Sequence, residues 1–118
     1  LLGYPTANIR PAEDEALPED GVYAGIVELS DGGAHPAAVS IGRRPQFYDE
    51  HGVRLVEAYL LDFDGDLYGQ AITVRVGERV RGQMRFDSTE ELVEQMGRDV
   101  EAVRSLAGAP AQHGLGAP

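Results

Sequence analysis

VYAGIVELSDGGAHPAAVSI, residues 22–41, reads as two strands and a turn. Residues 22–29 are rich in β-branched and aromatic side chains, which suit a pleated, half-buried surface. SDGG, residues 30–33, is the turn, because Asp-Gly supplies the positive φ that a tight hairpin needs. Residues 35–41 form the return strand, with Pro36 near its start, where a missing N–H donor is tolerated. No helix separates the strands, so the pairing is antiparallel and a parallel βαβ unit is excluded.

Outward from this hairpin the pattern stays mainly β. Upstream, RPAEDEALPEDG (10–21) is acidic, carries two prolines and reads as a surface loop. Downstream, GRRPQFYDEHG (42–52) reads as a loop and VRLVEAYLLDF (53–63) as the longest strand. DGD (64–66) is expected to turn that strand into a hairpin with LYGQAITVRV (67–76). In the second of these, Ile72, Val74 and Val76 alternate with Thr73 and Arg75, the period of a half-exposed strand. RVRGQMRF (79–86) is expected as a further short strand broken by Gly82. The period then changes. Ser88 with Glu91 three residues on is a capping-box signature. Leu92, Met96, Val100, Val103 and Ala107 follow at helical spacing, so an amphipathic helix is expected over 89–106. Gly108 and Pro110 stop it, and 108–118 reads as a disordered tail. Short antiparallel strands followed by one helix point to a small barrel or sandwich with the helix packed on it.

Composition narrows the function. The chain has 118 residues, one domain's worth, with no cysteine and a net charge of −10. Disulfides, thiolate nucleophiles and cysteine metal sites are excluded, and a reducing cytoplasm is the expected compartment. All ten basic residues are arginine. No basic stripe is present, so nucleic acid is not expected as a partner. No apolar run approaches a membrane helix. The first residue is Leu1 rather than methionine, so the sequence reads as a fragment.

Four features bear on chemistry. Glu57 shares a strand face with Leu55, Tyr59 and Leu61. A carboxylate there is costly unless paired or used, and partial burial suits it to taking a proton. The plain alternative is an edge glutamate that points to solvent. DFDGDLYG (62–69) resembles a calcium loop, but positions six and twelve, counted from Asp62, are Leu67 and Thr73, so the match fails. Arg43 and Arg44 either meet phosphate oxygens as bidentate forks or balance the acidic surface of a solvated loop. In GYPTAN (3–8), Thr6 and Asn8 place a hydroxyl and an amide oxygen on one face of an extended segment. That suits Mg²⁺ shared with phosphates, while Gly3 leaves room near the backbone. It also suits a simple turn into the first strand. His35, His51 and His113 lack partners at i+3 or i+4, so they read as surface residues and not as zinc ligands. Neither G-x-S-x-G nor a Walker loop is present.

GYPTAN, DGVYAG (20–25), SIGRRPQF (40–47), VEAYLLDFDGDLYG (56–69), VRGQMRF (80–86) and STEELVEQMGRDV (88–100) occur in one order. That order and spacing resemble the riboflavin kinase domain, which in bacteria usually forms the C-terminal half of a bifunctional riboflavin kinase/FAD synthetase. The resemblance covers about residues 2–104. It implies a six-stranded antiparallel Greek-key barrel with a C-terminal helix, here residues 1–107. It implies transfer of the ATP γ-phosphoryl group to the riboflavin 5′-hydroxyl, giving FMN and ADP, with Mg²⁺. A catalytically impaired flavin-binding or regulatory barrel is the alternative.

The resemblance also assigns roles. Glu57 would be the base, and Thr6 and Asn8 would hold the metal. Gly3, Pro5, Thr6, Asn8, Gly42 and Tyr68 would line the nucleotide. Asn8, Glu57, Arg81, Phe86, Asp87 and Leu92 would lie near the flavin. An N-terminal adenylyltransferase domain would be the partner in the full chain. Three departures stand out. The family's glycine- and arginine-containing stretch before L-G-F-P-T-A-N is absent, which implies a truncated N-terminal edge. Gly42-Arg43-Arg44-Pro45-Gln46-Phe47 replaces the family's G-x-N-P-T-F. Gln83 stands where an acidic residue is frequent.

Overall fold

The structure is a computed structural model that describes residues 4–9, 11, 16–46, 49–67 and 69–107. Five strands and one helix follow in order: β1 (Thr6–Ile9), β2 (Gly21–Leu29), β3 (Ala34–Gln46), β4 (Asp49–Leu60), β5 (Ile72–Arg81) and α1 (Thr89–Ala107). The strands form one antiparallel sheet in the order β1-β4-β3-β2-β5.

The β2–β3 hairpin forms as its sequence dictates. Gly32 has a φ of 92°, and the Gly33 N–H donates to the Asp31 carboxylate at 2.7 Å. The residues expected as a loop over 42–52 instead lengthen both β3 and β4, which pair from Ala37↔Leu60 to Gln46↔Asp49. Pro45 has no N–H to give the ladder, and the register shifts between Arg44 and Gln46 to accommodate it.

The chain after β4 departs from expectation. Asp64-Gly65-Asp66 does not close a hairpin, because β4 is already bonded to β3 on one edge and to β1 on the other. Residues 61–71 therefore carry the chain away from β4, and β5 pairs with the open edge of β2. Asp62 takes a φ of 56° as the chain leaves β4. The strand expected over 67–76 starts at Ile72, and Arg79–Arg81 complete it; residues 82–86 are not strand. The sheet is open, with β1 and β5 at its edges, and the described residues contain five strands rather than six.

Alternation divides the sheet into two buried faces. One carries Tyr23, Val27, Val39, Ile41, Val56, Ala58 and Leu60. The other carries Ala24 and Ala38, small enough to let α1 lie close, with Leu61, Val100 and Val103 packed among them. β2 is consequently buried on both faces, and Val27 is fully buried. Gly25 has no room for a side chain: a Cβ there would stand 2.6 Å from the Arg75 carbonyl oxygen and 2.7 Å from Val39 Cγ2.

The helix begins where its cap was read. Ser88 Oγ accepts the Glu91 N–H at 3.1 Å, and the Glu91 carboxylate accepts the N–H of Asp87 at 2.9 Å. Met96, Val100 and Val103 form its buried stripe. His35 is half-buried rather than exposed, stacked edge-on against Phe63 with centroids 4.9 Å apart. Among the described residues no helix is long and apolar enough to cross a membrane. The tail, 108–118, lies outside the described residues.

Candidate active site

The strand registers align a polar row across the helix-facing side of the sheet. Asn8 on β1 stands opposite Glu57 on β4, Glu57 opposite Ser40 on β3, Ser40 opposite Val22 on β2, and Val22 opposite Arg81 on β5. Directly opposed residues of antiparallel strands project to the same face. Four of these five positions carry polar or charged side chains.

Glu57 sits near the middle of this row. It is half-buried, and Tyr59 Oη donates to its Oε2 at 3.3 Å. It lines a cavity of about 360 Å³ with Asp20, Ser40, Gly42, Arg43, Leu55 and Gln83. Gln83 Nε2 donates to the Ile41 carbonyl at 2.7 Å and lies against Gly42, where a Cβ would meet it at 2.8 Å. The missing side chain at Gly42 thus lets the loop after β5 close over β3. Asp20, on the near rim, is fixed by Arg54 Nη2 at 2.9 Å, and its carbonyl accepts from Arg79 Nη2 at 2.8 Å.

A second cavity, about 100 Å³, adjoins the first through Ser40 and Gln83. It lies between α1 and the sheet. Tyr59, Arg81, Phe86, Leu92 and Met96 line it. The Arg81 guanidinium lies 5.9 Å from the Phe86 ring centroid. The sequence-assigned Arg81, Phe86 and Leu92 therefore come together here. Asp87 is exposed just before the helix cap and is not among the residues lining this cavity.

The third cavity, about 530 Å³, lies between β1 and the crossover that follows β4. Pro5, Thr6, Ala7, Asn8 and Ile9 form one wall, and Gly65, Asp66, Leu67 and Gln70 of the crossover form the other. Thr6 Oγ1 donates to the Tyr4 carbonyl at 2.9 Å. A hydroxyl whose proton goes to a carbonyl acts toward a cation as an oxygen donor. Thr6 and Asn8, two residues apart on one strand, are the donor set expected for Mg²⁺ held chiefly by waters and phosphates. Among the described residues no cluster of three or more His, Cys, Asp or Glu is positioned for a metal. Asp66 is the carboxylate lining this cavity, and phosphate oxygens would supply the remaining negative charge of such a site. Gly3 and Tyr68 lie outside the described residues, as do the side chains of residues 44–53.

The crossover wall is tied to the helix. Arg104 near the end of α1 bonds Asp62 at 2.6 Å. The hydrogen bond from Arg104 holds the Asp62 carboxyl below its ordinary value, with the charge of the same guanidinium adding to the effect.

A family model described as flavokinase, riboflavin kinase, matches residues 1–107. The chain belongs to the riboflavin kinase family. Within that family it is 40% identical over 112 residues to a Pseudomonas fluorescens bifunctional riboflavin kinase/FMN adenylyltransferase, covering 95% of this chain and 35% of the relative. The relative of the same name in Listeria monocytogenes is 34% identical over 105 residues, covering 89% of this chain and 33% of its own length. The chain spans about a third of the length of these curated relatives. A crystal structure from Streptococcus pneumoniae, of a protein named as a macrolide-efflux protein, shares the fold at a TM-score of 0.75 and 35% identity. That match covers 87% of this chain and 33% of the other.

The sequence assigned no site role to Ser40, Gln83 or Asp99, and marked Gln83 only as a departure from the family pattern. Ser40 was legible in principle, lying between Ala38 and Gly42 in a period-two strand. Asp99 stands three residues after Met96 and four before Val103, a charge on the apolar stripe of an amphipathic helix. Gln83 offered no local signal, since its contact with the Ile41 carbonyl joins residues 42 apart.

Proposed function

We propose that this domain is an ATP-dependent riboflavin kinase that transfers the γ-phosphoryl group to the riboflavin 5′-hydroxyl, giving FMN and ADP. One observation carries the reading beyond family membership: an apolar, aromatic cavity under α1 continues through Ser40 and Gln83 into a polar cavity that contains Glu57. A planar ring with a polyol chain matches that sequence of surfaces. The ring would lie against Phe86, Leu92 and Tyr59. The smaller cavity admits only part of a tricyclic ring, so the rest would extend over Ser40 and Gln83. The chain would then run along the polar row toward Glu57.

The chemistry follows from the row. Phosphoryl transfer depends on positioning and charge stabilisation, with one group orienting the nucleophile. The Glu57 carboxylate accepts the proton of the 5′-hydroxyl as its oxygen attacks the γ-phosphorus. The bond from that phosphorus to the β–γ bridging oxygen breaks, and ADP leaves. Asn8 faces Glu57 in register and also lines the 530 Å³ cavity, which supports a role for it where nucleophile and phosphate meet. Thr6 and Asn8 would hold Mg²⁺, which supplies charge neutralisation at the phosphates when bound. Pro5, Gly42 and the crossover around Asp66 would border the nucleotide.

Two finer points belong to the same proposal. Ile9 on β1 and Ile72 on β5, the two sheet edges, line one cavity, which supports closure into a Greek-key barrel by a further strand between them. The intact protein, like its relatives, would carry an adenylyltransferase domain. The test is product analysis of the intact protein with riboflavin, ATP and Mg²⁺. FMN, together with any FAD made from it, should appear with at least one ADP per phosphorylated flavin. Riboflavin binding without ADP would favour the flavin-binding barrel instead.

A further inference from the structure

Asp99 is the one buried charged residue among those described, with 5% of its surface exposed. The kinase chemistry above does not use it. Its carboxylate receives Arg81 in a two-pronged pair, Nε to Oδ1 and Nη2 to Oδ2, both at 2.8 Å. Gln95, one turn earlier on α1, donates its Nε2 to Asp99 Oδ1 at 2.9 Å. Arg81 Nη1 donates to the Gly82 carbonyl at 2.9 Å. These bonds use three of the five N–H groups of the guanidinium.

A brace between α1 and β5 does not require this arrangement. Well-packed apolar side chains of similar volume serve as well or better than a buried ion pair. What the pair provides, and an apolar contact does not, is a cation with a fixed plane. The guanidinium is locked by Asp99, backed by Phe86, and lines the helix-side cavity with two N–H groups left over. The matching ligand chemistry is a flat ring with hydrogen-bond acceptors on one edge, such as the two carbonyls of the isoalloxazine pyrimidine ring.

We propose that Asp99, oriented by Gln95, is a positioning residue that holds the Arg81 fork toward the carbonyl edge of the flavin and so sets affinity for riboflavin. The inference rests on the riboflavin kinase reading. Asp99 borders the same cavity, but both of its oxygens are taken by Arg81 and Gln95, so it acts through Arg81 and does not touch the reacting atoms. Its loss therefore raises the riboflavin KM and leaves the phosphoryl-transfer step alone.

The experiment measures kcat and the KM values of riboflavin and ATP separately in the intact protein, with riboflavin binding followed by quenching of flavin fluorescence. Asp99→Asn keeps the shape and removes the charge, and Arg81→Lys keeps the charge and removes the fork. Each is expected to raise riboflavin KM and Kd by about tenfold or more, as for a lost charge-assisted hydrogen bond, and Asp99→Asn is expected to leave kcat and ATP KM within about twofold of wild type. Gln95→Met, at a half-buried position, is expected to raise riboflavin KM by a few-fold with an unchanged Tm. If Asp99→Asn lowers Tm but binds riboflavin as wild type does, the pair is only a brace and the inference is overturned. If Asp99→Asn does not fold, Gln95→Met decides: a raised riboflavin KM supports the assignment and an unchanged one overturns it. A wild-type protein that neither binds riboflavin nor makes FMN removes the kinase reading itself. An active wild type with indifferent variants removes this inference alone.

Discussion

Asn8 and Glu57 face each other across the β1–β4 ladder, and each belongs to a different cavity. Asn8 lines the cavity shared with the crossover, and Glu57 lines the polar cavity that leads to α1. The backbone hydrogen bonds of two strands thus set the separation between the proposed place for a phosphate and the proposed place for its acceptor. A one-residue slip of β1 would turn Asn8 to the opposite face of the sheet.

This division predicts separable kinetic effects. Thr6→Ala and Asn8→Ala should raise the ATP KM and the Mg²⁺ concentration needed for half-maximal rate, each by about tenfold or more, as for a lost metal-ligand or charge-assisted contact. Riboflavin binding, read by fluorescence quenching without nucleotide, should change by less than about threefold in Thr6→Ala. Unaltered dependence on ATP and Mg²⁺ in both variants would remove their role.

Gly25 predicts a stability effect far from the chemistry. A methyl group there would meet the Arg75 carbonyl and Val39, both fixed in the sheet. Overpacking of this kind costs about 1–3 kcal/mol. Urea denaturation of Gly25→Ala should show that loss with an unchanged m-value. Wild-type stability would mean that the sheet relaxes more easily than its register suggests.

Asp62 and Arg104 predict a pH dependence. The folded pKa of Asp62 lies below its ordinary 3.8, chiefly through the hydrogen bond from Arg104. The unfolded chain therefore binds this proton first as pH falls. The pair's contribution is fully present above the ordinary value and is lost as pH drops through the lowered folded one. Melting temperatures of wild type and Arg104→Gln should differ slightly at neutral pH, since exposed pairs contribute little, and converge in acid. A gap that persists through that acid range would show that Arg104 acts there by something other than the Asp62 carboxylate.

Sequence alone reached the local features and missed the non-local ones, for physical reasons. The β2–β3 hairpin and the α1 cap depend on residues a few positions apart, and both form where Asp31-Gly32 and Ser88-Glu91 place them. The β4–β5 connection depends on which sheet edge is vacant. Nothing in Asp64-Gly65-Asp66 records that β1 has already taken the outer edge of β4. The extra length of β3 and β4 was hidden by Gly42 and Pro45, which signal a loop in isolation and a bulged strand pair in context. In the site, Glu57 announced itself as a charge among apolar neighbours. Arg81 gained a place near the flavin only through family resemblance, and its partner Asp99 lies 18 residues later on another element.

Single-turnover transfer from γ-labelled ATP to riboflavin, in wild type and Glu57→Gln, tests the account most directly. The account predicts label on the 5′ phosphate of FMN in the wild type. In Glu57→Gln the rate should fall by about 10²–10⁴, the usual contribution of a general base, while riboflavin still quenches as before. A folded wild-type protein that gives no labelled FMN, or a Glu57→Gln variant that transfers at the wild-type rate, would contradict it.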